Sequence, residues 1–89
     1  MQVEWRPEAR AGLREILNYI ADRNIVAAEN LNDAIEDAIS VLPLHPSLYR
    51  FGRVPGTREI IVHPNYLVVY RVTDFIEIVT VLHARQEYP

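Results

Sequence analysis

Arg53, Arg58 and Arg71 make the sharpest chemical demand in this chain of 89 residues. They stand among β-branched and aromatic neighbours between Arg53 and Val72, and a guanidinium in apolar surroundings needs a carboxylate, a carbonyl or an outside anion. Arg58 and Arg71 fall inside predicted strands, with Glu59 and Glu77 available on neighbouring strands. Arginine–carboxylate pairing across a sheet is therefore the plain expectation for both. Arg53 and Arg85 lie at strand margins, where an exposed charge is free to meet a partner. Other chemistries find less support. His45, His63 and His83 form no close pair in sequence and have no cysteine to join them, so neither a metal site nor a cofactor is expected. Ser40 lies in a predicted helix and Ser47 in a proline-rich segment, neither on a strained elbow. Gly56 belongs to a turn and not to a phosphate loop, because no helix opens after it.

The elements that must position these groups follow from pattern and punctuation. Val3 and Trp5 alternate with polar neighbours, as a half-buried edge strand does. Pro7 suits the first position of a helix, and Ala9, Leu13, Ile16, Leu17 and Ile20 keep one face to about Arg23. Asn24 caps a second helix, whose stripe of Ala28, Leu31, Ile35, Ala38 and Leu42 runs to the break at Pro43. Gly12 and the Ala27–Ala28 pair are expected where the two helix backbones come closest. The apolar, proline-broken segment 42–49 is expected to be a loop packed on the body. Strands follow at 59–62, 66–72 and 75–82, divided by His63-Pro64-Asn65 and Thr73-Asp74.

The order β-α-α-β-β-β predicts a single α+β domain over residues 1–89. An antiparallel helical hairpin packs on one face of a mainly antiparallel four-stranded sheet that includes the N-terminal strand. The other face is left as a concave working surface.

Composition narrows the class further. The chain has no cysteine, and its first residues lack the basic and apolar regions of a signal peptide, so a cytoplasmic protein with no membrane partner is expected. The net charge of −3 argues against a general nucleic-acid binder. The charge is uneven: residues 1–49 hold four arginines against eight acids, whereas residues 50–89 hold five arginines against four acids. All nine basic residues are arginine.

Gly52-Arg53, Pro55-Gly56-Thr57-Arg58-Glu59, Tyr66 with Val69-Tyr70-Arg71-Val72, Val81-Leu82-His83 and the closing Tyr88-Pro89 together resemble the RelE/ParE family of toxins from bacterial type II toxin–antitoxin systems. Arg6-Pro7-Glu8-Ala9 and the Asn24–Ala28 helix start match in kind and position, so the likeness spans nearly the whole chain. Ile25 and Tyr88 stand where many members carry proline and tryptophan. The resemblance implies a growth-inhibiting toxin neutralised by a cognate antitoxin, which alone links the pair to operator DNA. It also implies one of two targets: DNA gyrase, poisoned by ParE-like members, or mRNA in the ribosomal A site, cut without metal by RelE-like members. A non-toxic homologue that serves only as a co-repressor is a third possibility.

Under the RelE-like reading, His83 and Tyr88 would move protons, while Arg53, Arg58, Arg71 and Arg85 would offset charge on phosphorus; the catalytic set is His83, Arg85 and Tyr88. Under the ParE-like reading no catalysis is needed, and Tyr49, Phe51, Tyr66 and Tyr88 could anchor a protein contact. Arg53, Arg58, Arg71, Tyr49 and Phe51 are the candidates for contacting target or antitoxin. The acidic balance and the absence of lysine leave little counterion release for RNA binding, which favours gyrase.

Overall fold

The computed structural model describes residues 1–88; Pro89, part of the terminal motif above, lies outside the described residues. The elements in chain order are β1 (Val3–Trp5), α1 (Pro7–Ala21), α2 (Ile25–Ser40), β2 (Arg50–Phe51), β3 (Thr57–His63), β4 (Tyr66–Val72) and β5 (Ile76–His83). Pro7 opens α1, where its missing N–H costs nothing. Asn24 caps α2 by accepting the Ala27 N–H at 3.0 Å. Both helices stop short of the expected ends. Leu42, beyond the last turn of α2, is still fully buried and is turned inward by its N–H bond to the Ile39 carbonyl.

The helical hairpin on a sheet is as expected, but the sheet has five strands in the order β1-β5-β4-β3-β2 and is mixed. β1 runs parallel to β5, placing Val3 opposite Ile76 and Trp5 opposite Ile78. The additional strand β2 has only two residues, Arg50 opposite Glu59 and Phe51 opposite Arg58. So short an edge strand carries no alternation to read. Gly12 does mark a close approach, though to the sheet: a Cβ there would lie 3.4 Å from the Val81 carbonyl oxygen.

The main core lies between helices and sheet, with Ile35, Ile60, Val68, Tyr70, Ile76 and Ile78 at its centre. The second face of the sheet is not bare. Leu67, Val69, Val79 and Leu82 form a separate buried cluster there, with Tyr88 of the C-terminal tail packed on it. Segment 42–49 also departs from expectation. Leu42 is buried, but Leu44 and Leu48 are 83% and 59% exposed.

A register shift separates Val69–Thr80 from Tyr70–Ile78 and leaves Val79 without a partner opposite. The extra residue inverts the alternation of β5. Before it, Ile76 and Ile78 face the helices; after it, Val81 does, while Val79 and Leu82 join the cluster on the second face.

Candidate functional site

Arg53 and Arg58 find partners, but Arg58 does not take the expected carboxylate. Arg58 and Glu59 are consecutive in β3 and so point to opposite faces. The Arg58 guanidinium instead donates to the Tyr49 carbonyl at 2.7 Å and the Ser47 carbonyl at 3.4 Å, and lies 4.3 Å from the centre of the Phe51 ring. Glu59, whose side chain is 2% exposed, is held by Arg50 at 3.2 Å, by the Arg53 backbone N–H at 3.0 Å and by Arg53 Nε at 3.5 Å. Glu77 takes Arg6 at 3.1 Å, and this hydrogen bond raises the pKa of Arg6 further above its ordinary value. Arg71 stands between Thr57 and Glu77 in register and is half-buried, with no ion pair to a described residue. Arg6 and Arg50 were missed as partners because their carboxylates lie far away in sequence or across a strand too short to recognise.

Tyr49 and Tyr70 meet edge to face at 6.4 Å, and the Tyr70 hydroxyl donates to the Pro46 carbonyl at 2.8 Å. Burial pushes the Tyr70 phenol above its ordinary value. Tyr49 is thus tied into the body, whereas Phe51 is 78% exposed beside Leu44 and Leu48 in sequence. Tyr19, Ile25 and Val26 add exposed apolar surface near the helix connection, which periodicity alone did not single out.

His83, Arg85 and Tyr88 do not converge. His83 packs edge to face on Tyr66 at 5.2 Å, and Tyr66 belongs to the core between helices and sheet. Tyr88 packs on the cluster of the other face. The bulge at Val79 is what carries His83 to the helix side. His83 Nδ1 accepts the Arg85 backbone N–H at 3.0 Å, and His63 Nδ1 accepts that of Asn65 at 3.0 Å. With Nδ1 engaged as acceptor, the neutral His83 ring carries its proton on Nε2 and presents a donor there. Arg85 is exposed in the turn that follows. Among the described residues no group of three His, Asp or Glu side chains comes together as a metal site would need. Nor is any helix among them long and apolar enough to cross a membrane.

Comparison with known proteins agrees with this architecture. Residues 3–88 match the family described as the ParE toxin of type II toxin-antitoxin system, parDE. The protein Y4kP of Sinorhizobium fredii (strain NBRC 101917 / NGR234), a toxin candidate by its name, is 34% identical over 89 residues, covering 99% of this chain and 93% of Y4kP. The chromosomal ParDE TA system from P. aeruginosa superposes with a TM-score of 0.80 at 20% identity, over 93% of this chain and 95% of that one. The YoeB dimer from Staphylococcus aureus gives 0.65 at 14% identity, over 99% and 98% of the two chains. The structural likenesses speak for the fold; the sequence matches over nearly the full length speak for the family. The chain belongs to the ParE toxin family of type II toxin–antitoxin systems.

Proposed function

We propose that this toxin arrests growth by binding DNA gyrase and trapping it on broken DNA, and that a cognate antitoxin holds it inactive. The observation that carries the choice of target is the separation of His83 from Tyr88 by the sheet. Metal-free cleavage of RNA needs an acid and a base at one phosphodiester. Here the two side chains best suited to those roles lie on opposite faces, and His83 offers a donor at Nε2. The buried centre of the second face is apolar, with Leu67, Val69, Val79 and Leu82 where a nuclease would want cations. A protein target suits the exposed apolar groups Leu44, Leu48 and Phe51, with Arg58 stacked on Phe51 to stiffen it. The antitoxin partner follows from family membership, supported by the similar folds of the ParDE TA system from P. aeruginosa and the YoeB-YefM complex from Staphylococcus aureus. Operator DNA is reached only through that antitoxin.

Induction in cells lacking the antitoxin is expected to stop thymidine incorporation first, with methionine incorporation intact, and the purified chain should block supercoiling and leave gyrase-linked DNA breaks. Early loss of methionine incorporation would overturn gyrase in favour of mRNA cleavage. If neither falls, the chain is no toxin and the co-repressor role takes its place.

A further inference from the structure

A groove of about 600 Å³ runs between α1 and the end of β5. Glu8, Gly12, Glu15 and Tyr19 line it from the helix, and Tyr66 and His83 from the sheet. The helix residues follow one stripe of α1, so both carboxylates look into the same channel. Glu8 and Glu15 are two turns apart, about 10 Å along the axis. Neither forms an ion pair with a described residue. Arg6, whose charge is felt by Glu8, is already bonded to Glu77. β1 ends its pairing with β5 at Ile78, so the strand is not covered by β1 along this stretch. Gly12 keeps the helix close to the Val81 carbonyl without a side chain to fill the channel.

We propose that this groove is a docking site for a basic segment of the antitoxin, with one arginine or lysine directed at each of Glu8 and Glu15 and an apolar side chain lying on Tyr66. Charge selects the occupant. Glu8 and Glu15 line the groove and no arginine does, Arg10 and Arg14 lying on another stripe of α1, so a segment in the groove gains most from positive charge. Arg23 already stacks on the Tyr19 ring at 3.8 Å, so the two carboxylates are what draw the incoming cations. An acidic segment would meet two unpaired carboxylates and be repelled. The proposal rests on the reading of the chain as an antitoxin-held toxin, and it adds where the antitoxin lies and what chemistry it must present.

The test is an NMR titration of the isotope-labelled full chain with the capped peptide acetyl-Arg-Leu-Tyr-Arg-amide, and with the same peptide carrying citrulline, the neutral isostere, at both arginine positions. The arginine peptide should shift the amides of Gly12, Ile16, Tyr19 and His83. It should bind at least tenfold more tightly than the citrulline peptide, and the double variant E8Q/E15Q should erase that preference. Shifts centred elsewhere, or equal binding of the two peptides, overturn the proposal. A second titration, with the antitoxin from the same operon, keeps the two readings apart. E8Q/E15Q should weaken the complex at least tenfold, while E29Q/D33N on the outer face of α2 leaves it unchanged. If the wild-type chain binds the antitoxin and E8Q/E15Q binds it equally well, the groove assignment fails and the toxin reading stands. If the wild-type chain does not bind it, both fail.

Discussion

Tyr70 joins three jobs in one side chain: it is fully buried in the main core, it meets Tyr49 edge to face, and its hydroxyl holds the Pro46 carbonyl. Phenylalanine would keep the packing and lose the hydrogen bond, leaving a carbonyl of the 43–49 segment without its donor. Tyr70→Phe is expected to destabilise the chain by about 1 kcal/mol in urea unfolding. The same variant has a pH signature. Burial raises the folded phenol above its ordinary value of 10.0, so the folded chain holds this proton more tightly than the unfolded chain. The stability it contributes is complete below that ordinary value and is lost as pH climbs through the folded one. Wild type should therefore lose stability more steeply than Tyr70→Phe above about pH 10, and equal slopes would show that Tyr70 ionises freely. At this scale the sequence revealed which residues needed partners but not which partners they found. Arg71 and Glu77 do stand opposite each other across β4 and β5, yet it is Arg6 that takes the Glu77 carboxylate.

The turn between β2 and β3 shows how an element is built around the absence of a side chain. The Gly52 N–H donates to the Thr57 carbonyl at 2.8 Å, and Thr57 Oγ1 donates back to the Val54 carbonyl at 2.6 Å. A Cβ on Gly52 would run into Thr57 Oγ1 and press on the Glu59 carboxylate at 3.3 Å. Gly52→Ala is expected to cost about 1–3 kcal/mol and to loosen the Arg53 amide held by Glu59. Denaturation with urea gives the first quantity and hydrogen exchange at Arg53 the second. Unchanged protection at Arg53 would mean the turn shifts without disturbing the carboxylate. Gly56, with φ +83°, supplies the left-handed residue of the same turn. Both helices were legible in the sequence because their apolar spacing and their starts at Pro7 and Asn24 agree. The longer strands were legible from composition. β2 was too short for its pattern to show, and the parallel pairing of β1 depends on tertiary contacts that no local pattern encodes.

For the whole molecule, the decisive feature is a sheet with two faces of different character and one bulge that assigns the last strand between them. Strict alternation from Ile76 would place His83 with Glu77 on the second face; the unpaired Val79 sends it to the helix side, away from Tyr88. That is why a sequence motif spanning residues 83–88 looked like one site and folds as two surfaces. Function inherits the division. If the toxin works by protein contact, the groups on the two faces contribute independently, and the effects of His83→Ala and Tyr88→Ala on gyrase-linked DNA cleavage should add to within about 0.5 kcal/mol in the double variant. An acid and a base acting on one phosphodiester would behave otherwise. Removing either would abolish most of the activity and removing the second would change little. The cycle uses the same full chain throughout, with melting curves for all four proteins to confirm that each is folded. Strong coupling in folded variants would place His83 and Tyr88 in one working site and overturn the two-surface account of this toxin.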